Sequence, residues 1–137
     1  MGYQTEFQGQ FILDRPLSPE HKKALDDLAE DEHTPGEDGK PDGYQCYYCQ
    51  WVATDDGTRI VWDGGEKFYC YLEWLLYLID NFLKPWGYVL NGAVHWQGEG
   101  DAEWQGQLLR DRGILFVRDN VVEAVLDGIP GGHSMDA

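Results

Sequence analysis

Phe68-Tyr69-Cys70-Tyr71-Leu72-Glu73-Trp74-Leu75-Leu76-Tyr77-Leu78-Ile79-Asp80-Asn81-Phe82-Leu83 is the richest apolar run of the chain, and its period decides the fold. Phe68, Leu72, Leu75, Leu76, Ile79, Phe82 and Leu83 recur at helical spacing, and Tyr71 and Leu78 widen the stripe. Pro85 and Gly87 are expected to stop the helix. The run falls short of the roughly 18–20 apolar residues of a membrane span and carries Glu73, Asp80 and Asn81. It reads as the helix on which a core is centred.

On both sides of this helix the pattern changes to β. Tyr3, Thr5, Phe7, Gly9, Phe11 and Leu13 alternate with Gln4, Glu6, Gln8 and Gln10, the signature of a half-buried strand. Asp14-Arg15-Pro16-Leu17 turns the chain. Ser18 caps a thinly striped helix from Pro19 to near Glu30, with Ala24, Leu25 and Leu28 facing inward. Tyr44–Thr54 and Thr58–Asp63 read as strands joined by an Asp55-Asp56-Gly57 turn. After the long helix, strands are expected at Tyr88–Gly98, Trp104–Arg110, Ile114–Arg118 and Val121–Leu126. Glu99–Glu103 and Asp111-Arg112-Gly113 are the expected turns between the first three.

The element order is therefore β-α-β-β-α-β-β-β-β. The fold class is α+β: a single antiparallel or mixed sheet with two helices on one face. A ferredoxin-like start followed by a C-terminal β-meander fits that order. One domain is expected over residues 1–127, with a flexible acidic loop at 31–43 and a disordered tail at 128–137.

Composition narrows the function. The chain has 137 residues, and its aromatic content of 14% excludes disorder of the whole. Its 25 Asp+Glu against 10 Lys+Arg give a formal net charge of -15. Phosphate backbones and anionic membranes require cations, so direct nucleic-acid or membrane binding is not expected. The N-terminus has no basic or apolar region of a signal peptide, and the odd count of three Cys is no disulfide framework, so a cytoplasmic location is expected.

Two constellations could carry chemistry. Cys46-Tyr47-Tyr48-Cys49 is half of a zinc site or a redox pair, but no second pair stands at a recognised spacing. Within one strand its two thiols would also face opposite ways. Glu73, Tyr77 and Asp80 share a helix face and could join Glu66 and His95 in an acid–base cluster, with Glu73, Asp80 and His95 as the working set of a small hydrolase or transferase. No nucleophile sits beside a base, and no phosphate-binding loop or HExxH motif occurs. No catalytic residue and no cofactor is therefore assigned.

Binding is the better-supported class. Asp26, Asp27, Glu30, Asp31, Glu32, Glu37 and Asp38 crowd the first helix and the loop after it. Glu99, Asp101 and Glu103 lie between Trp96 and Trp104 at the expected hairpin tip, where exposed Trp would anchor a partner. Dense carboxylates steer a protein onto a basic partner surface. Nothing in the sequence selects an oligomeric state.

Several stretches resemble a family of small uncharacterised acidic proteins of phages and bacteria. They are Gly2-Tyr3, Phe7-Gln8-Gly9 with Asp14-Arg15-Pro16-Leu17, Trp62-Asp63-Gly64-Gly65-Glu66-Lys67-Phe68-Tyr69, and Trp86-Gly87-Tyr88-Val89-Leu90-Asn91-Gly92 with Trp96-Gln97-Gly98-Glu99. The resemblance implies a phage or mobile-element setting and brings no activity with it. Joined to the charge, it leads to the expectation of an inhibitor that occupies the nucleic-acid-binding surface of a host defence complex, of CRISPR or restriction type.

Overall fold

The alternation of the first strand sets the two faces of the molecule. In a computed structural model describing residues 5–30, 48–65, 68, 70–104 and 107–126, β1 (Thr5–Leu13) buries Thr5, Phe7, Phe11 and Leu13 and exposes Glu6, Gln8 and Ile12. For 101–104, 107–110 and 126 the description is of the backbone. β1 lies inside an antiparallel sheet with β2 (Trp51–Ala53), β3 (Arg59–Trp62), β4 (Leu90–Trp104), β5 (Gln107–Arg118) and β6 (Val121–Leu126). The strand order is β2-β3-β1-β4-β5-β6, so β4, β5 and β6 form a meander.

Register carries the faces across the sheet. Phe7 lies opposite Trp96, Gly9 opposite Val94 and Phe11 opposite Gly92. Val94 continues to Leu115 and then to Ala124. This inward set forms one core with Leu25 and Leu28 of α1 (Pro19–Glu30) and Trp74, Leu75 and Leu78 of α2 (Tyr71–Leu78). Both helices therefore cover the same face, and α+β with a single antiparallel sheet is the observed class.

The C-terminal half differs from the sequence reading. Glu99–Glu103 is not a turn, and Asp111-Arg112-Gly113 is not one either. Both are absorbed into one long β4–β5 hairpin, with Trp104 opposite Gln107. The polar Gly-rich run shows itself as a register shift between Gln97 and Asp101. The described part of β1 begins at Thr5, opposite Gly98.

Of the two expected stops, Pro85 lies within the helix and Gly87 ends it. α2 continues through a π-helical turn, Ile79–Leu83, into a last α turn, Lys84–Trp86, that contains Pro85. The wider turn keeps Leu75, Ile79 and Leu83 inward at a spacing of four, while Leu76 is only half-buried. Gly87, at φ 84°, ends the helix in the left-handed region that glycine adopts without strain.

Of the strand expected at Tyr44–Thr54, Trp51–Ala53 pairs with β3, whereas Tyr48, Cys49 and Gln50 are outside any strand. Residues 44–47, the acidic loop at 31–43 and the tail from 127 onward lie outside the described residues. No helix among the described residues is long and apolar enough to cross a membrane.

Candidate functional site

α1 is the acidic element that can be traced atom by atom. Ser18 caps it, its Oγ accepting the His21 amide at 3.3 Å. Asp26 accepts a hydrogen bond from Lys22 Nζ at 2.8 Å, and Asp27 one from Lys23 Nζ at 2.9 Å. Each carboxylate holds its lysine above the ordinary ammonium pKa, chiefly through that hydrogen bond. Glu20 and Glu30 are exposed and make no ion pair among the described residues.

The last turn of α1 has no basic residue and carries Asp27 and Glu30. The carbonyl end of a helix disfavours negative charge by about 0.3–1 kcal/mol per group. Glu30 thus stands where it weakens the helix, while the cost at Asp27 is offset by its pair with Lys23.

The fold separates the rest of the predicted set. Trp96 is 4% exposed, and its indole N–H donates to Asp111 at 3.0 Å. It is a core residue and presents no contact surface, which corrects the expectation of an exposed anchor. Trp96 and Trp104 also lie on one strand and do not face each other across a turn. Glu99 is exposed at the register shift and already engaged in an interaction. Asp101, Glu103 and Trp104 lie at the far end of β4, opposite Arg110, Leu108 and Gln107. Asp31, Glu32, Glu37 and Asp38 fall outside the described residues.

The acid–base set is not assembled. Glu73 and Asp80 are exposed on the helical side, where Asp80 pairs with Lys84 at 3.1 Å. His95 is exposed on β4 between the inward residues Val94 and Trp96, so it sits on the opposite face of the sheet. The six-stranded sheet stands between His95 and the two carboxylates.

Cys49 is a buried free thiol. It donates to the Trp51 carbonyl at 3.6 Å, and its pKa is pushed up to about 12 by desolvation. Cys70 is disulfide-bonded, although the odd cysteine count had argued against a disulfide framework, and Cys46 lies outside the described residues. No group of three metal-ligating side chains occurs among the described residues.

Two features were not anticipated. His21 stacks on Trp86 at 3.9 Å, and its Nδ1 lies 2.9 Å from the Tyr88 hydroxyl, which also accepts the Ser18 amide. Arg15 lies over the Tyr88 ring at 4.3 Å and donates to the Gly87 carbonyl at 3.0 Å. This knot fixes the start of α1 to the turn before β4. The sequence carried its parts, but not the 67-residue separation that joins His21 to Tyr88.

The second feature is the sheet face that no described element covers. Arg112, Ile114, Phe116 and Arg118 alternate outward along β5, and Phe116 is 40% exposed. The spacing of Ile114, Phe116 and Arg118 was legible in the strand expected at Ile114–Arg118, while Arg112 was hidden by reading Asp111-Arg112-Gly113 as a turn. The chain matches no protein-family model, no curated protein and no solved structure.

Proposed function

We propose that the protein is a non-enzymatic acidic binding module. In this reading it is encoded by a phage or mobile element and works in the host cytoplasm. It inhibits a nucleic-acid-handling defence complex, of CRISPR or restriction type, by occupying that complex's basic nucleic-acid-binding surface. The observation that carries the reading is the carboxyl end of α1, where Glu30 is exposed and makes no ion pair among the described residues, beside an Asp27 paired with Lys23, with no basic residue in the last turn. Charge placed against the helix dipole is more readily explained by binding than by stability. The net charge of -15 adds long-range attraction to a cationic groove. The enzyme reading loses its support from the placement of His95 across the sheet from Glu73 and Asp80.

The same reading takes β1 to β4 with α1 and α2 as a split βαβ scaffold of ferredoxin-like type. The neighbour order β2-β3-β1-β4 with antiparallel pairs supports it.

Capture of partners from host lysate on the immobilised full chain tests the function. A nucleic-acid-binding complex whose retention falls steeply with salt, and which the protein competes away from its nucleic acid, is the expected result. Partners retained equally at low and high salt would overturn the phosphate-mimic reading.

A further inference from the structure

β6 is the edge of the sheet next to β5, and its sequence, Val121-Val122-Glu123-Ala124-Val125-Leu126, lacks the usual protections of an edge. It has no proline, no lysine and one charge. The direction of its backbone groups follows from the hairpin. Asp119 and Asn120 form a two-residue loop with both φ values positive, 49° and 68°, the geometry of a type I′ turn. Arg118 and Val121 flank that turn and are its hydrogen-bonded pair, so Val121, Glu123 and Val125 bond to β5. Val122, Ala124 and Leu126 therefore aim their N–H and C=O groups out of the sheet. Among the described residues no strand pairs with them.

We propose that this edge pairs with β6 of a second copy, antiparallel about a two-fold axis, joining two sheets into one. A second copy brings a strand already ordered by its own hairpin, whereas a foreign extended segment must lose its chain entropy on binding. Two-fold antiparallel pairing keeps the inward sides of both sheets on the same side, so the cores and helices stay in line. Charge selects the register. Centring the axis on Ala124 sets Glu123 opposite Val125 of the second copy. Centring it on Glu123 would oppose two carboxylates directly, which is unfavourable. The two bodies each carry -15, so association strengthens as salt screens their repulsion. That is the reverse of the salt dependence in the proposed function, and α1 takes no part in the edge, so the two readings fail separately.

Sedimentation of the full chain over a concentration series at low and high salt is the test, with variants at position 125. In the Ala124-centred register Val125→Lys creates two Lys–Glu123 pairs per dimer and tightens it by about three- to tenfold. Val125→Glu weakens it by a similar factor. Gln8→Lys and Gln8→Glu make the same charge changes on β1, away from the edge, and are expected to shift association by much less. Amide exchange supplies a readout that needs no variant. The Val122, Ala124 and Leu126 amides gain protection as concentration rises. A monomer at every concentration and salt, equal effects at positions 125 and 8, or concentration-independent exchange of these amides would each overturn the proposal.

Discussion

The indole of Trp96 occupies the space that a side chain at Gly113 would need. The two residues are direct partners across β4 and β5, and a Cβ at 113 would lie 2.5 Å from Trp96 Cη2. It would also press on the Val125 carbonyl of β6. The glycine thus lets an aromatic ring lie flat across the sheet while its N–H reaches Asp111. Gly113→Ala is expected to lower unfolding free energy by about 1–3 kcal/mol, the usual cost of overpacking a core. Chemical denaturation checks this, and a shift of the midpoint at constant slope is the expected form.

The π turn makes a second prediction. Ile79 is 1% exposed, while Leu76, on the next row of the helix, is half-buried. Ile79→Ala is expected to cost about 2–5 kcal/mol, and Leu76→Ala distinctly less. Equal losses in thermal or denaturant unfolding would mean that the helix is rotated from the phase described.

Asp56 sets an acid limit. Its carboxylate accepts hydrogen bonds from the Thr54 hydroxyl at 2.7 Å and from the Thr58 hydroxyl and amide at 2.7 and 3.1 Å. These bonds, the Thr54 hydroxyl first, lower its pKa from 3.8 to about 2. A folded-state value below the unfolded one means a stabilising contribution present above pH 3.8. That contribution is lost as pH falls through about 2. NMR titration is expected to place the Asp56 midpoint near 2. Asp56→Asn is expected to flatten the pH dependence of stability across that window and to leave it unchanged above it.

These residues also show where sequence reasoning succeeds. β1 was legible because burial on one face imposes a period of two, and Phe7, Phe11 and Leu13 keep it. Helix α1 was legible to its ends because Ser18-Pro19 is a local start signal and Leu25 and Leu28 fix its face. The β4–β5 hairpin was not, because Gly98, Gly100 and Asp101 carry turn chemistry while the pairing that overrides it comes from Arg110 and its neighbours. Pro85 misled for a related reason: a π turn upstream changes which carbonyl the missing N–H would have met. Of the candidate site, the α1 carboxylates could be read, since a helix end is local. The burial of Trp96 could not, because it depends on a glycine seventeen residues away on the next strand.

The carboxyl end of α1 offers the sharpest test of function against stability. Glu30 is exposed, unpaired among the described residues, and placed against the helix dipole. Glu30→Lys reverses that mismatch, so it is expected to raise stability by about 0.3–1 kcal/mol at low salt. The same change removes one negative charge and adds one positive charge on the surface proposed to meet a basic partner. Association is therefore expected to slow, with the effect shrinking as salt screens over about 8–10 Å. Asp27→Lys tests the same surface at a different structural cost. It breaks the pair with Lys23 and sets two ammonium groups four residues apart, which offsets the gain from placing a cation at the carbonyl end of the helix. Glu30→Lys thus raises stability and Asp27→Lys leaves it about unchanged, while both slow association. Stopped-flow association rates with the captured partner, set beside unfolding free energies, separate the cases. If the rates follow stability, the carboxylates act on the fold; if both variants slow association, they act on the partner.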